Sequence, residues 1–409
     1  MDHAITEMQN DLAATFEVEI ERILPGGVGL AHADGQTIFV SLAATRDVVR
    51  VQIDRTRGNV AFASIIEIIK PSPARVEPPC PYFGRCGGCD FQQLDYQAQL
   101  KAKVEIIRDC LHRIAHVELP AEFEIQPSPN QWHYRARANW QVDLETRELG
   151  YFERGSRRVC DVADCAVLTP VLQATLEDLR ANLESDSFPA GVRNIEAVAG
   201  DEGVSLAPGW AGFQTKNVSR KIGGYAYQFS ADAFFQINQE LLVQLIANAI
   251  GDARGTVAID LYCGAGLFTV PLATRFEKVI GVESNPLAAK FALRNLQSAK
   301  LSNARIHTAP VGVWLNDMPA ETAPVDLVLL DPPRAGAETT VIKGILALQP
   351  RHISYVSCDP ATLARDLKKL LAGGYSLESV IAFDMFPQTH HVETVVHLSY
   401  ANEYRSGCE

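Results

Sequence analysis

Cys358 and Glu393 are the two residues whose type and setting point most directly to chemistry. Cys358 ends the run ISYVSC (353–358) and precedes Asp359-Pro360. It therefore lies at the carboxyl end of a predicted strand, where open α/β sheets hold their ligands. A thiol there can be a nucleophile, although a core cysteine at a strand end is the plainer alternative. Glu393 lies in THHVETVVHL, inside an otherwise apolar strand. Burial penalises its charge unless something partners it, and service as a general base is a reason to keep it. His390 and His391 adjoin it, but a chain with 10 histidines supplies many bystanders. A thiol and an acid together suit a pyrimidine. Carbon 5 of uracil is a poor nucleophile. Thiolate addition at carbon 6 makes carbon 5 enolate-like, so that it can attack a methyl group on a cationic donor. A base must then remove the carbon 5 proton, which expels the thiol and restores the ring.

A donor site is legible in residues 257–266, VAIDLYCGAG, which read as a buried strand, an acid and a glycine turn. Gly264 and Gly266 let the chain turn tightly and bring backbone N–H groups close to a ligand. The helix-like LFTVPLATRF follows, completing the opening unit of a nucleotide-binding α/β fold, though a glycine turn in any α/β domain looks the same. Glu283, at the tip of the next strand, can accept hydrogen bonds from two ribose hydroxyls. Asp331 opens DPPR after the apolar LVLL. The two prolines make a rigid loop with few free donors, suited to holding a flat base or the methyl donor. A capping Asp before a turn is the bland reading.

A second cluster is built from sulfur. Cys80, Cys86 and Cys89 follow the spacing C-x5-C-x2-C within irregular, Pro- and Gly-rich chain (71–90). Thiolates are soft ligands, and four of them select zinc or an iron–sulfur cluster. The fourth candidates are Cys160 and Cys165, in RRVCDVADCAVL, whereas Cys110 sits in a helical stretch and reads as packed. Spacing alone does not separate zinc from iron–sulfur.

These residues need elements to position them. Residues 15–67 read as a small all-β module of four or five strands, punctuated by PGGVG and ADGQ, on the plan of an oligonucleotide-binding barrel. A helix runs from Tyr96 to Leu111, with Leu100, Val104, Ile107 and Leu111 along one face. Residues 132–158 read as antiparallel hairpins with arginines on one side, and 195–230 continue in β style. ADAFFQINQELLVQLIANAI reads as a polar turn feeding a long amphipathic helix. Strands at 278–283, 304–309, 325–331 and 353–358, with a pair near 376–383 and 392–398, alternate mostly with helices. That alternation predicts a mainly parallel, doubly wound sheet.

At 409 residues the chain has room for two to four domains. The net charge of −12 argues against a nucleic-acid binder acting through bulk positive field, but leaves room for an RNA enzyme with a local basic groove. No run approaches the roughly 18 apolar residues of a membrane span. The acidic, polar start reads as neither a secretory leader nor a transit peptide, so the cytoplasm is the expected location.

The motifs CPYFGRCGGC, FFQIN, DLYCGAGLF, DPPRAG, SCDP and HVETVV, in this order across nearly the whole chain, resemble the TRAM-containing RNA 5-methyluridine methyltransferases. The resemblance implies a multidomain chain. Residues 12–68 would form the TRAM β-barrel, which binds RNA. Residues 69–92 plus 126–229 would form a central α+β, β-rich domain with the cluster. Residues 93–125 plus 230–409 would form a Rossmann-like, class I methyltransferase domain. Cys80, Cys86, Cys89 and Cys165 would ligate a [4Fe-4S] cluster, with CAVLTP departing from the family by an Ala where proline is frequent. Gln236, Tyr262, Gly264, Glu283 and Asp331 would contact S-adenosylmethionine. Cys358 would be the nucleophile and Glu393 the base. The implied partner is RNA, 23S ribosomal RNA first and transfer RNA second, acted on by a monomer away from membranes. Given the acidic total, RNA contact would fall to focused patches such as Arg135, Arg137, Arg154, Arg157 and Arg158. Two other classes compete. A non-catalytic RNA-binding or assembly protein is disfavoured by intact Cys358, Glu393 and Asp331. A dinucleotide-dependent redox enzyme is disfavoured by the lack of a full G-x-G-x-x-G.

Overall fold

The computed structural model describes residues 15–120, 123–185, 188–318 and 324–400. The expected extents at 12–14, 121–122 and 401–409 lie outside the described residues.

The first sheet is made by β1 (Thr15–Glu19), β2 (Arg22–Leu24), β3 (Val28–Ala33), β4 (Gln36–Val40), β5 (Val48–Arg57) and β6 (Val60–Lys70), in the order β1-β5-β6-β4-β3-β2. This is six strands rather than four or five, because the start of the module splits at Ile20–Glu21 into two short strands. Alternate residues such as Val18, Ile38, Val49 and Val51 point into one shared core. Strands far apart in the order contribute to it, so the sheet is folded over on itself.

The central region pairs β8 (Arg137–Asp143), β9 (Glu148–Phe152), β10 (Val159–Asp161), β11 (Asn194–Gly200) and β12 (Gly203–Ala207) in one antiparallel sheet; β7 (Ile125–Gln126), earlier in the chain, belongs elsewhere. Of the helices in this half, α1 (Tyr96–Cys110) starts at Asp95, whose side chain accepts the Ala98 N–H. The second, α2 (Pro170–Leu183), has Pro170 in its first turn and lays Leu172, Leu176, Leu179 and Leu183 on the central sheet around Trp140. Each fully buried leucine contributes about 1.5–3 kcal/mol. A hairpin, β13 (Val218–Ile222) and β14 (Tyr225–Phe229), then leads into the C-terminal half.

That half holds α3 (Leu242–Ile250), β15 (Gly255–Leu261), α4 (Thr269–Leu272), β16 (Phe276–Glu283), α5 (Pro286–Ser298), β17 (Ala304–Thr308), α6 (Val311–Asn316), β18 (Leu327–Leu330), α7 (Thr339–Leu348), β19 (His352–Ser357), α8 (Pro360–Ala372), β20 (Tyr375–Phe383) and β21 (Glu393–Tyr400). Its sheet runs β17-β16-β15-β18-β19-β21-β20-β7. Neighbours from β17 to β19 are parallel, and β21 is antiparallel to both β19 and β20. The eighth strand, β7, comes from the segment before the central sheet and pairs with the end of β20. Along β15, Val257, Ile259 and Leu261 enter one apolar layer with α1, α7 and α8, and Ala258 enters the other with α3 and α5. This is the period-two alternation of a strand covered on both faces.

Two helices are shorter than the sequence predicts. The long helix expected after the polar turn that opens at residue 231 is confined to Leu242–Ile250. Before it, the Asn238 side chain binds Ser128 Oγ and the Glu240 N–H, and Gln239 binds the Ala199 carbonyl, so local side-chain bonds displace the helix. After the glycine turn only Thr269–Leu272 is helical. Phe276 is already in the next strand, which draws Arg275 and its neighbours out of the helix.

Candidate active site and cysteine pocket

Four parallel strands deliver their carboxyl ends to one rim. Pairing of Leu261 with Val282, of Leu261 with Leu330 and of Leu330 with Tyr355 sets β15, β16, β18 and β19 in step. Tyr262, Glu283, Asp331 and Cys358 all lie within three residues after these paired positions. Tyr262 has φ +62°, unusual for a residue with a side chain, and Gly264 (φ +53°) and Gly266 (φ +86°) complete the turn. A Cβ on Gly266 would press on Ala292, whereas one on Gly264 would meet nothing within 4 Å. The turn is thus packed on one side and open on the other. The Gly264 N–H donates to Glu283 Oε2 at 2.9 Å and the Asn285 N–H to its Oε1 at 2.7 Å. That carboxylate locks the glycine turn to the start of α5 and remains partly exposed.

Gln236 reaches the rim from the irregular FFQIN segment, donating to Asp331 Oδ2 at 3.3 Å. Burial raises Asp331 to about 7, against the Gln236 bond that lowers it. Behind it, Asp260 accepts from Thr269 Oγ1 at 2.5 Å and leaves Oδ1 without a partner. Burial raises it too, to about 7, with Asp331 and Glu283 adding repulsion. Three carboxylates around an open glycine turn form an acidic, partly unsatisfied cradle, and this fits a cationic donor carrying a ribose.

Cys358 and Glu393 meet through register. Ser357 pairs with Thr394 across the antiparallel β19–β21 ladder. The next residues beyond that pair are Cys358 on one chain segment and Glu393 on the other, near enough for the Glu393 charge to act on the thiol. Glu393 is 2% exposed and its Oε1 has no hydrogen-bond partner. Burial, then Asp331, raises its pKa well above the ordinary carboxylate range, while Arg334 opposes. Burial, then Glu393 and Asp331, pushes the Cys358 thiol up to about 12, again against Arg334. Arg334 is a charged neighbour of Cys358 and Glu393 that the sequence reading passed over. It lies in DPPR, the motif singled out there for its acid and prolines. It is exposed and favours the charged form of both Cys358 and Glu393. Its loop is held from beneath: buried Asp366 accepts from the Ala337 N–H at 2.8 Å and from Tyr355 at 2.9 Å. The His391 ring lies against His390 and Phe386; burial, then His390, lowers it to about 2.

Cys80, Cys86, Cys89 and Cys165 line a single cavity together with Arg135 and Tyr151. Cys160, the other candidate, is buried in β10 and is not among the lining residues. Burial raises the thiols, Cys86 to about 11 and Cys89 to about 12. Arg135 opposes the rise at Cys89 and Cys165, and its Nε is buried without a partner. Four thiols, a guanidinium with an unpartnered Nε and the unpartnered Tyr151 hydroxyl line the same pocket. Among the described residues, however, no set of three or more His, Cys, Asp or Glu side chains is drawn together as around a bound ion. The four cysteines share a cavity without converging on one point.

The expected arginine patch is corrected by these contacts. Arg135 belongs to the cysteine pocket. Arg137 is held by Glu196 at 3.0 Å and by the carbonyls of Ala231 and Ala233. Arg154 donates to the Cys89 carbonyl at 2.7 Å. Arg157 and Arg158 are exposed, and Arg158 pairs with Glu153. Alternation along a strand marks two faces without saying which is covered.

The comparisons agree with this geometry. The family model described as tRNA (Uracil-5-)-methyltransferase matches residues 213–401. A 23S rRNA (uracil(1939)-C(5))-methyltransferase of Alkalilimnicola ehrlichii is 32% identical, over 93% of this chain and 95% of the relative. The protein of that name in Pectobacterium atrosepticum is also 32% identical, over 94% of this chain and 93% of the relative. The crystal structure of Pyrococcus abyssi tRNA (uracil-54, C5)-methyltransferase, in complex with S-adenosyl-L-homocysteine, superposes with a TM-score of 0.72 at 25% identity, covering 93% of this chain and all of that one. A methyltransferase fold with an open acidic cradle beside a cross-strand cysteine and acid defines the class. The chain belongs to the S-adenosylmethionine-dependent RNA (uracil-C5) methyltransferase family.

Proposed function

We propose that this protein methylates carbon 5 of a uridine in 23S ribosomal RNA, with Cys358 as nucleophile and Glu393 as base. The observation that supports the mechanism is the β19–β21 register, which ends at Ser357–Thr394 with Cys358 and Glu393 next beyond it, and the action of the Glu393 and Asp331 charges on the Cys358 thiol. The choice of RNA rests on relatives named for 23S rRNA that align over more than nine-tenths of the chain. Transfer RNA is the second reading, favoured by the Pyrococcus abyssi structure.

S-adenosylmethionine supplies the electrophilic methyl group. Gln236, Tyr262, Gly264, Glu283 and Asp331 form its cradle. Cys358 gives its proton to solvent and its sulfur adds to carbon 6 of the uracil; the ring's electron pair moves to carbon 5, which would take the methyl group as the donor's sulfur–methyl bond breaks with its electron pair left on that sulfur. Glu393 then removes the carbon 5 proton, the ring electrons return, and the carbon–sulfur bond breaks. Arg334 assists by favouring the thiolate and the ionised base. A stacked uracil lies out of reach of a thiol at this rim, so the target base flips out or occupies an opened loop.

The supporting parts follow the same reading. Residues 12–68 act as a TRAM barrel on RNA. Residues 69–92 plus 126–229 form the cluster-bearing central unit, and 93–125 plus 230–409 the catalytic one. Cys80, Cys86, Cys89 and Cys165 hold a [4Fe-4S] cluster, whose thiolate charge Arg135 is placed to balance. The enzyme works as a cytoplasmic monomer; among the described residues, no helix is long and apolar enough to cross a membrane. Mass mapping of 5-methyluridine in ribosomal and transfer RNA, from cells lacking and regaining the gene, tests the target. A mark in 23S rRNA that tracks the gene supports the first reading. A mark in transfer RNA alone replaces it with the second, and no change in either overturns both.

A further inference from the structure

Lys103 is a fully buried cation that the reaction does not use. Its ammonium pairs with Asp384, also fully buried, and donates to the Phe386 carbonyl at 3.0 Å. A buried ion pair is weak evidence for stability, since desolvating both charges offsets their attraction; fixing one geometry is a better-attested use. Residues 384–392 connect β20 to β21, and the first residue of β21 is Glu393.

The rest of the segment is held from the same side. Gln99, one turn before Lys103 on α1, exchanges two hydrogen bonds with Gln388: its Nε2 donates to Oε1 at 3.0 Å and its Oε1 accepts the Gln388 N–H at 2.9 Å. The N–H groups of Asp90 and Phe91 both donate to the Gln388 carbonyl at 3.0 Å. Asp90 accepts the His390 N–H at 2.7 Å and bonds the His390 ring at 2.5 Å. Tyr134 donates to the Pro387 carbonyl at 2.9 Å. The partners lie about 250–300 residues away in sequence, outside β19, β20 and β21.

From this we infer that Lys103 and Gln99 of α1, with Asp90 beside the cysteine loop, are positioning residues that clamp segment 384–392 and so set the aim of Glu393. Cys358 is held by β19 and α8, and the side-chain hydrogen bonds of Lys103, Gln99 and Asp90 reach neither element. The clamp therefore governs proton removal and leaves thiol addition alone. It also couples the cysteine loop to the base, because Asp90 follows Cys89 directly. The inference rests on Glu393 being the base.

The test uses the full-length enzyme in three forms: Gln99→Leu, the double variant Lys103→Met/Asp384→Leu, and Glu393→Gln in parallel. The double variant replaces both buried charges with apolar groups and keeps the fold testable should a single Lys103 change fail to fold. The readouts are kcat and KM, the detergent-stable RNA–protein adduct in single turnover, iron content and thermal unfolding. The clamp predicts a tenfold or greater fall in kcat with KM within twofold, adduct accumulating, and iron and unfolding unchanged. Wild-type kcat without adduct in both clamp variants, while Glu393→Gln stalls, overturns the clamp. Parallel loss of adduct, iron and folded protein in both clamp variants also overturns it, by reducing these residues to scaffolding. Normal product release by Glu393→Gln refutes the base assignment instead.

Discussion

Replacing Glu393 by Gln keeps the shape of the side chain and removes its charge. Two effects follow, of opposite sign. The carboxyl is 2% exposed with one oxygen unpartnered, and burial raises its pKa well above 4.5. A group whose pKa is raised in the fold weakens folding as pH rises above its unfolded pKa, until the folded pKa is reached. Glutamine lacks that term, and an unpaired buried polar group costs about 1–3 kcal/mol. The variant should therefore unfold no more easily than the wild type, and less easily at pH 8. Catalysis should fall, because a positioned base contributes about 10²–10⁴-fold, or roughly 3–5 kcal/mol of barrier. A single-turnover assay with labelled methyl donor and an RNA transcript separates the steps. Label should enter a detergent-stable RNA–protein adduct and leave it hundreds of times more slowly. Release of methylated RNA at the normal rate, or clear destabilisation at pH 8, would refute the reasoning.

Three further outcomes are expected. Asp331, raised to about 7 by burial, must ionise to hold a cationic donor, so S-adenosylmethionine affinity should climb from pH 5.5 to about 7 and then level off; calorimetry in two buffers should detect proton release, and a flat profile contradicts the assignment. Gly336→Ala forces a Cβ to 2.5 Å from the Arg365 guanidinium and 2.7 Å from Asp366 at φ +75°, a strain of about 1–3 kcal/mol; donor affinity should drop about tenfold, and an unchanged dissociation constant removes that loop from the site. Cys89→Ser should lose iron and sulfide and disorder the central sheet; unchanged metal content excludes it as a ligand.

The sequence showed the strands of the large sheet well because several are short apolar runs closed by a residue with chemistry: Glu283, Asp331, Cys358. Strand ends are legible when a polar side chain breaks an apolar period. The lengths of the flanking helices were not legible. Asn238 and Gln239 look like helix surface until Ser128 and Ala199, about 110 and 40 residues away, take their side chains. Arginines posed the same difficulty. Arg135 and Arg137 alternate like solvated strand residues, yet one faces four thiols and the other caps the carbonyls before Phe234. The partners of Lys103 and Asp90 lie nearly 300 residues along the chain, so only the folded molecule reveals the clamp.

The central claim is a transient bond between Cys358 sulfur and carbon 6 of the target uracil. RNA carrying 5-fluorouridine tests it most directly, since a carbon 5 fluorine cannot be removed as a proton and the adduct must persist. After incubation with S-adenosylmethionine, nuclease and protease digestion, peptide mass spectrometry should find one methylated fluorouridine nucleotide on Cys358. A nucleotide on any other residue, or none from enzyme that methylates ordinary RNA, would contradict it.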